Sequence, residues 1–393
     1  MPQLKVVPQL KASYVLPLRR DAAPASAELA GYLRGLAGLV EVLVVDGSPE
    51  PVWQAHHHAF GDRVAHLRPD PRLACRNGKV HGVLTGLAAA GHEAVVLADD
   101  DVRYDREALA RLVGLLGVAD LVRPQNYFAP LPWHARLDTA RTLLNRVAGG
   151  DFPGTLGVRR SLLLDAGGYD GDVLFENLEL LRTVRAAGGS VLTPLDLYVR
   201  RLPPDTAHFL DQRVRQAYDE LARPARLAAA LAVLPAAAVP AARRRWWPLL
   251  AGAGLAVAAA EAGRRRAGGR AWFPASSSLL APVWLLERSA SSWLAVHARL
   301  FRGGAAYAGG RLARAATPER VLRARLAARP AGQVRADPLS RAGPTAAFGP
   351  RTRSPASATT PPPAPREPST AGTRGRRPAG PGSRPARRPG RAG

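Results

Sequence analysis

The stretch Val95-Val96-Leu97-Ala98-Asp99-Asp100-Asp101-Val102 decides the fold expected of this 393-residue sequence. Its four apolar residues, two of them adjacent β-branched valines, predict a short buried strand. Three carboxylates follow, and in a parallel α/β sheet the carboxyl ends of the strands face the ligand crevice. Such carboxylates repel one another unless a cation lies among them, and they are ligands that Mg²⁺ or Mn²⁺ prefers. The alternative is an acidic turn in which Asp100 or Asp101 caps a helix that begins near Asp105.

Strands and helices alternate on both sides of this stretch. The pattern predicts strands at 13–18, 41–48, 63–67, 95–98, 121–127, 155–158 and 190–200, and helices at 25–38, 78–90, 105–116, 137–147, 161–166 and 180–187. This alternation predicts a right-handed, mostly parallel sheet with helices on both faces. The expected fold class is therefore α/β.

The net charge of +24 belongs entirely to the second part of the chain. Residues 1–225 hold 26 basic and 26 acidic side chains, whereas residues 226–393 hold 29 basic and 5 acidic ones. A basic half of this kind indicates an anionic surface, either lipid headgroups or nucleic acid. Cys75 is the single cysteine, which excludes an intrachain disulfide and fits a reducing compartment. Residues 1–10 lack an apolar segment of signal-peptide length, so we expect the N-terminal part in the cytosol.

Three uncharged apolar runs follow the balanced part of the chain. They cover residues 227–242, 246–260 and 271–286, and an arginine triplet stands shortly after each of the first two. Each run is shorter than the roughly 20 residues that span a bilayer. Short tilted spans, a hairpin in one leaflet and a soluble alanine-rich bundle are therefore all open. Trp246 and Trp247 beside an arginine triplet favour a membrane interface.

The composition predicts three regions. We expect a catalytic domain at 1–226, an apolar, arginine-flanked and membrane-associated helical region at 227–329, and a basic tail at 330–393. The tail is rich in Pro, Ala, Gly and Arg and has almost no large apolar residues, which predicts disorder. Because no aromatic side chains are interleaved with its arginines, we expect no specific nucleic-acid partner.

Five short motifs occur in an order that resembles the family 2 glycosyltransferases with the GT-A fold. They are Leu16-Pro17-Leu18-Arg19, Val44-Val45-Asp46-Gly47-Ser48, Asn77-Gly78-Lys79, Asp99-Asp100-Asp101 and Phe175-Glu176-Asn177-Leu178-Glu179-Leu180. In addition, Gln212-Arg213-Val214-Arg215 is similar to the start of the family's Gln-x-x-Arg-Trp signature. The resemblance covers about residues 13–216. It implies a metal-dependent, inverting transfer of a sugar from a nucleoside-diphosphate sugar.

The resemblance also implies roles for individual residues. Asp99 and Asp101 would hold Mg²⁺ or Mn²⁺, with Asp101 the better candidate for direct contact, and the metal would neutralise the departing diphosphate. The donor-binding candidates are Pro17, Asp46, Lys79, Asp99 and Arg215. Further candidates are His208 as a metal ligand and Gln212 and Arg213 at the donor.

Two of these residues have a second interpretation. Arg213 and Arg215 can instead pair with Asp211 or Asp219 along one helix. A run of three histidines, 56–58, has the composition of a metal site, but consecutive residues cannot all face one ion on a helix. We therefore expect this run to be a solvated surface.

Two positions depart from the family's pattern. Asn177 stands where most members carry the carboxylate that takes the acceptor's proton, and an amide has no such capacity. Glu176 is the nearest replacement, and Asp172 and Glu179 are poorer ones. Gln216 stands in place of the signature's tryptophan, which argues against a processive polysaccharide synthase.

The apolar C-terminal segments are similar to those of ceramide-glucosyltransferase-like enzymes, which glycosylate a lipid once. The expected function is non-processive transfer to a lipid or other membrane-bound acceptor, at the cell membrane with the catalytic domain on the cytoplasmic side. The alternative is a catalytically degenerate GT-A protein, a binding module whose basic tail binds nucleic acid or anionic lipid. A nucleotidyltransferase is disfavoured because no glycine occurs at 19–23, after the first strand.

Overall fold

The alternation expected from the sequence is present in the computed structural model, which describes residues 9–22, 24–307 and 309–328. The strands are β1 (Ala12–Leu18), β2 (Glu41–Asp46), β3 (Ala65–Leu67), β4 (Ala94–Ala98), β5 (Val102–Arg103), β6 (Leu121–Val122), β7 (Gln125–Phe128), β8 (Thr155–Arg159), β9 (Val191–Leu192), β10 (Tyr198–Arg201), β11 (Ala305–Tyr307) and β12 (Gly310–Leu312). The helices are α1 (Ala27–Leu36), α2 (Glu50–Phe60), α3 (Gly78–Ala89), α4 (Arg106–Leu115), α5 (Trp133–Val147), α6 (Arg160–Asp165), α7 (Glu176–Ala186), α8 (Thr206–Tyr218), α9 (Pro224–Ala242), α10 (Trp246–Arg265), α11 (Ala275–Leu279), α12 (Ala281–Phe301) and α13 (Glu319–Ala327).

The main sheet has seven strands in the order β3-β2-β1-β4-β8-β6-β9. Its pairs are parallel except that β8 runs antiparallel to both β4 and β6. Alternate residues of β4 pack into two different hydrophobic clusters, one on each face of the sheet. Val96 belongs to one cluster, and Val95 and Leu97 belong to the other. This is the period-2 pattern of a strand covered on both faces. The α/β class and the mostly parallel sheet are thus confirmed.

A second sheet, in the order β5-β10-β7, lies beyond the carboxyl end of β4. The two segments predicted as single strands, 121–127 and 190–200, each divide between the two sheets. Pro124 and Pro194 lie at the divisions, and a proline has no N–H for a strand ladder. The sequence therefore located these strands correctly but not the break within each.

Helix α3 packs unusually close to β1 because glycines face the strand. A Cβ added to Gly86 would lie 2.2 Å from Val15 Cγ1, and one added to Gly82 would lie 2.8 Å from Pro17 Cβ. Asn77 caps the helix, and its Oδ1 accepts from the Lys79 N–H at 3.1 Å. Close packing and cap together fix Lys79 at the carboxyl end of β1.

The C-terminal helices share a core with the α/β part. Leu143 of α5 and Phe209 of α8 belong to the same hydrophobic cluster as Ala260 of α10 and Trp284 of α12. The buried Arg146 guanidinium joins the two parts by donating to Tyr198 Oη at 2.8 Å and to the Arg266, Gly263 and Leu195 carbonyls at 2.7–3.1 Å. Packing therefore crosses the predicted boundary at 226–227, and the division into domains stays a prediction.

Beyond α12 the chain folds back onto the α/β part. The Leu174 N–H donates to the Arg314 carbonyl at 3.0 Å, and the Phe175 N–H donates to the Ala315 carbonyl at 2.8 Å. The antiparallel pair β11–β12 precedes this contact. The return segment thus reaches the residues that immediately precede α7. The tail at 330–393, predicted to be disordered, lies outside the described residues.

One described helix, α9, is long and apolar enough to cross a membrane, with 19 residues and a mean hydropathy of 1.7, and Ala230 is its one buried residue. One such helix is weak evidence for a span by itself. A broader feature accompanies it: of the 17 large apolar side chains that are exposed among the described residues, 13 lie between Val239 and Phe301. The apolar surface is therefore concentrated on the outer side of the C-terminal helices.

Candidate active site

A cleft of about 360 Å³ opens where the carboxyl end of β4 meets α5, α7, α8 and α12. Fourteen charged side chains line it, seven acidic and seven basic, so ionic contacts dominate its chemistry. The acidic ones are Asp99, Asp101, Asp138, Asp151, Glu176, Asp219 and Glu220. The basic ones are Lys79, Arg141, Arg201, Arg213, Arg215, Arg223 and Arg288.

Protein cations surround the three consecutive aspartates. Lys79 Nζ lies 2.5 Å from Asp99 Oδ1, Arg201 Nε lies 2.8 Å from Asp101 Oδ2, and Arg20 pairs with Asp100. The repulsion that indicated a metal is thus relieved in part by basic side chains. The capping alternative is wrong, because Asp105 itself caps α4 by accepting from the Ala108 N–H at 2.7 Å.

The aspartates nevertheless fit a divalent cation. Asp101 Oδ1 is buried and has no hydrogen-bond partner among the described residues. Burial raises the pKa of Asp101, with Arg201 opposing this and the charge of Asp99 adding to it. A hard cation would satisfy the orphaned oxygen. Gly154 leaves room beside Asp99, since a Cβ there would lie 2.8 Å from Asp99 Oδ2.

Glu176 is the first residue of α7 and lies in the cleft. Its Oε1 accepts from Lys79 Nζ at 2.8 Å, so Lys79 bridges Glu176 and Asp99. Burial disfavours the charge on Lys79, but these two carboxylates outweigh it and raise the pKa of Lys79 well above its usual range. Of the two poorer candidates for the base, Asp172 accepts from the Arg76 N–H and Glu179 from the Thr317 N–H. Neither lines the cleft.

Asn177 faces the cleft beside Glu176. Its Nδ2 donates to the Pro153 carbonyl at 3.2 Å, which fixes the amide in place. Asn177 also lines a small adjoining pocket together with Pro17, Lys79 and Asp99. Four of the predicted residues, from β1, α3, β4 and α7, are therefore brought together at one edge of the sheet.

The Gln-x-x-Arg segment forms one side of the cleft, on α8. His208, Gln212, Arg213 and Arg215 all line it. Arg213 is buried and pairs with Asp138 at 3.4 Å, and the Arg215 guanidinium lies 4.9 Å from the Tyr307 ring centre. Neither arginine pairs with Asp211 or Asp219, so that interpretation is wrong.

Asp219 is a cleft residue that sequence reasoning missed. It follows α8 directly, and its Oδ1 is buried without a hydrogen-bond partner among the described residues. Burial, reinforced by the charge of Glu176, raises the pKa of Asp219 to about 8. Each of the other six acidic cleft residues forms an ion pair with a basic one. No local motif marks Asp219, because its isolation depends on where the arginines of other helices point.

Asp46 is the predicted donor contact that the structure does not bring to the cleft. Its side chain is fully buried and accepts from the Ser48 N–H at 2.8 Å, His56 Nδ1 at 2.6 Å and His66 Nε2 at 3.0 Å. Its role at the donor stays a prediction. The expectation of a solvated histidine run is wrong for His56, which is buried, although His57 and His58 are exposed.

The Asp46, His56 and His66 side chains are close enough to hold a metal ion, with their ligand atoms within 4.8 Å of one another. The hydrogen bonds argue against it. His56 Nε2 accepts from the Ala25 N–H at 2.7 Å, so the ring proton lies on Nδ1 and is donated to Asp46. If Nδ1 bound a metal, the ring proton would have to lie on Nε2. There it would point at the Ala25 N–H, and two donors would face each other. The cluster is therefore a hydrogen-bonded support for the end of β2.

No model of a known protein family matches the sequence, and no curated protein matches it. Among solved structures, the chain is similar to the mannosyltransferase PcManGT from Pyrobaculum calidifontis in complex with GDP-Man and Mn²⁺, with 20% identity over 72% of this chain and 87% of that chain and a TM-score of 0.43. It is also similar to glucosyl-3-phosphoglycerate synthase from Mycobacterium tuberculosis in complex with Mn²⁺, UDP and phosphoglyceric acid, with 21% identity over 53% and 76% of the two chains and a TM-score of 0.36. These likenesses are distant, so the chemistry is derived from the cleft itself.

Proposed function

We propose that this protein is an inverting, metal-dependent glycosyltransferase of the GT-A type, which moves a sugar from a nucleoside-diphosphate sugar to a membrane-bound acceptor. One observation carries the proposal. Lys79, the pair Asp99 and Asp101, and Glu176 come from three separate parts of the sequence and converge in a single cleft at the carboxyl edge of the sheet. Ligands of open α/β sheets bind at this edge.

The donor diphosphate fits the basic and acidic groups of this edge. Asp99 and Asp101 would hold Mg²⁺ or Mn²⁺, which neutralises the charge of the departing nucleoside diphosphate. Lys79 and Arg201 now pair with these carboxylates, at 2.5 and 2.8 Å. With a cation held by Asp99 and Asp101, Lys79 and Arg201 would be available to bind diphosphate oxygens.

Inversion requires one displacement at the anomeric carbon. The acceptor oxygen forms a bond to that carbon while the bond to the diphosphate breaks, and the acceptor's proton passes to a carboxylate. Glu176 is the base that we propose, because it lies in the cleft next to Asn177. Asp219 is a second cleft carboxylate, without an ionic partner among the described residues, and with its pKa raised to about 8 it could take the proton only in its ionised form.

The acceptor's location is proposed from the outer surface of the molecule. Helix α9 and the exposed apolar side chains at 239–301 form a surface suited to lipid. Arg243, Arg244 and Arg245 at the end of α9 are exposed, and the structure gives their side chains no partner among the described residues. Exposed arginines beside exposed tryptophans suit an anionic membrane surface. We place the catalytic part on the cytoplasmic side of the cell membrane.

The experiment is a screen of nucleotide sugars for thermal stabilisation of the full chain in detergent, with and without Mn²⁺. We expect one donor class to stabilise the protein only when the cation is present. In Asp101→Ala this cation-dependent stabilisation should be lost, while the unliganded protein still unfolds cooperatively. An Asp101→Ala protein that binds the donor with unchanged cation dependence would exclude the metal site.

A transfer assay with the donor found in this screen separates the enzyme from a binding module. Asn177 at the usual base position and the Lys79–Glu176 ion pair favour this second candidate, a catalytically degenerate protein. Donor binding without sugar transfer to any membrane extract, and without donor hydrolysis, would support it. Transfer of radiolabelled sugar to extracted lipid would support the enzyme.

A further inference from the structure

We propose that the helical wall of the cleft binds a phosphate group carried by the acceptor, and that Arg288 is its main ligand. This inference rests on the proposed function and deepens it, because it names the chemical class of the acceptor. Arg288 lies on α12 and lines the same cleft as the donor residues.

Arg288 is a buried cation that forms no hydrogen bond to any described residue. The residue is only 4% exposed. Its Nε, Nη1 and Nη2 atoms are all buried, and none has a hydrogen-bond partner among the described residues. It stacks over Trp284, with Cζ 5.2 Å from the ring centre. A buried guanidinium that makes none of its hydrogen bonds is strongly unfavourable in a folded protein. Its presence at a cleft wall therefore indicates an anion that arrives with the substrate.

Asp138, Glu287 and Asp219 all interact electrostatically with Arg288, but none of them forms an ion pair or a hydrogen bond with it. Asp138 pairs with Arg141 at 3.0 Å and with Arg213 at 3.4 Å. Glu287 accepts from Ser291 Oγ at 2.6 Å and lies 3.8 Å from Arg213. Arg288 therefore has no ion pair among the described residues, although Asp219 Oδ1 and Glu287 Oε2 also lack hydrogen-bond partners there, and it lies near Arg141 and Arg213. Guanidinium groups grouped in this way suit a doubly charged, many-acceptor group such as phosphate.

The position of Arg288 separates this group from the donor's diphosphate. The small pocket that joins Pro17 to Lys79 and Asp99 is lined by no residue of α5, α8 or α12. Arg288 and Arg213, in contrast, belong to α12 and α8. Asp219 interacts electrostatically with both sides, since the charge of Glu176 raises its pKa and that of Arg288 lowers it.

The experiment uses the full chain in detergent with Mg²⁺ and a saturating nucleoside diphosphate from the donor screen. Inorganic phosphate is then titrated at constant ionic strength against chloride, and the melting temperature is followed. We expect saturable stabilisation in addition to that from the nucleotide. Arg288→Met should weaken the phosphate response at least tenfold and raise the melting temperature without phosphate, because an unpartnered buried charge has been removed. Arg111→Gln, at an exposed surface ion pair with Asp196, is the control and should respond like the wild type.

Three results would overturn the proposal: competition between phosphate and the nucleoside diphosphate, an unchanged phosphate response in Arg288→Met, or no response in the wild type. If Arg288→Met does not fold, Arg288→Lys keeps the charge but not the planar fork, and it should still weaken phosphate binding. Asp101→Ala should lose the nucleotide response and keep the phosphate response, so failure of the donor site is seen separately. Competition by phosphatidate vesicles or by glycerol 3-phosphate then identifies a lipid headgroup or a soluble phosphate ester as the source.

Discussion

Lys79 holds together two carboxylates that lie 77 positions apart in the sequence. Its Nζ lies 2.5 Å from Asp99 Oδ1 and 2.8 Å from Glu176 Oε1. One cation thus balances two anions. Any change in the position of Lys79 would alter its ion pairs with both carboxylates. A donor diphosphate that attracts Lys79 would leave Glu176 without its ionic partner.

Glu176→Gln tests this arrangement directly. We expect turnover to fall by about 10²–10⁴-fold, the usual contribution of a general base. Donor affinity should hardly change, because glutamine keeps an oxygen that accepts from Lys79. Sugar transfer to a membrane extract and donor binding are measured in parallel, with Asn177→Asp as a variant that we expect to be tolerated. Near-wild-type turnover in Glu176→Gln would transfer the role of base to Asp219.

Asp219 gives a prediction for pH dependence. Its pKa is raised to about 8 in the folded protein, against an ordinary value near 4 in the unfolded chain. Between these values the folded state holds a proton that the unfolded state has lost, so stability falls as pH rises toward 8 and then levels off. Asp219→Asn should remove this fall and be the more stable protein at pH 8, by about 1 kcal/mol or more. Urea unfolding of both proteins at pH 5.5, 7 and 8.5 tests it, and parallel curves would contradict it.

The sequence located the residues whose role depends on a local motif. Lys79, Asp99, Asp101 and Glu176 were all found in this way, and the structure brings them together. Arg201 and Arg288 were not found. Each is significant only through what surrounds it in space, since Arg201 pairs with an aspartate 100 residues away and Arg288 has no hydrogen-bond partner among the described residues.

At the scale of elements, the contact between α5 and α10 depends on a glycine. A Cβ at Gly263 would lie 2.0 Å from the Leu143 carbonyl oxygen, closer than atoms can approach. Gly263→Ala should therefore push the helices apart and destabilise the protein by about 1–3 kcal/mol, as overpacking does in well-packed cores. Gly254→Ala, on the same helix and with open space around it, should instead stabilise by up to about 1 kcal/mol through helix propensity. Thermal unfolding of the two variants in one detergent measures the difference, and equal effects would contradict it.

The predicted helices and strands were correct where a periodic pattern of apolar residues within the element itself indicates them. The helix at 50–60 was not predicted, and its buried His56 lies within a run whose neighbours are solvent-exposed. The return segment and its strands β11 and β12 were also missed. These strands have three residues each, and they are placed by hydrogen bonds of the return segment to residues 174 and 175, which no local pattern encodes.

At the scale of the whole molecule, the exposed arginines 243–245 follow α9 and precede Trp246 and Trp247, both more than 60% exposed. If this loop meets an anionic membrane, each arginine contributes about 1 kcal/mol to binding. Arg243→Gln, Arg244→Gln and Arg245→Gln combined should therefore weaken binding of the full chain to phosphatidylserine vesicles by about 100-fold at low salt. Flotation assays at two salt concentrations measure it.

A matched control is the triple variant Arg76→Gln, Arg106→Gln and Arg185→Gln, which removes three exposed arginines from the α/β part. It changes the net charge equally and should change vesicle binding far less. Equal losses in the two triple variants would show that only the overall charge matters. If both triple variants bound vesicles as tightly as the wild type, this loop would be excluded as the membrane contact.

Both ends of the apolar helical region are attached at the cleft. Arg223, just before α9, lines the cleft, and the return segment at 314–315 bonds to Leu174 and Phe175, which line it too. With those helices seated in a bilayer, the cleft would stand at a fixed height above the lipid. If the protein is the transferase that we propose, it would then sample its acceptor in two dimensions, and its rate would follow the mole fraction of acceptor in the membrane. Diluting the bilayer with inert lipid would slow the reaction at constant total acceptor, as in surface-dilution kinetics.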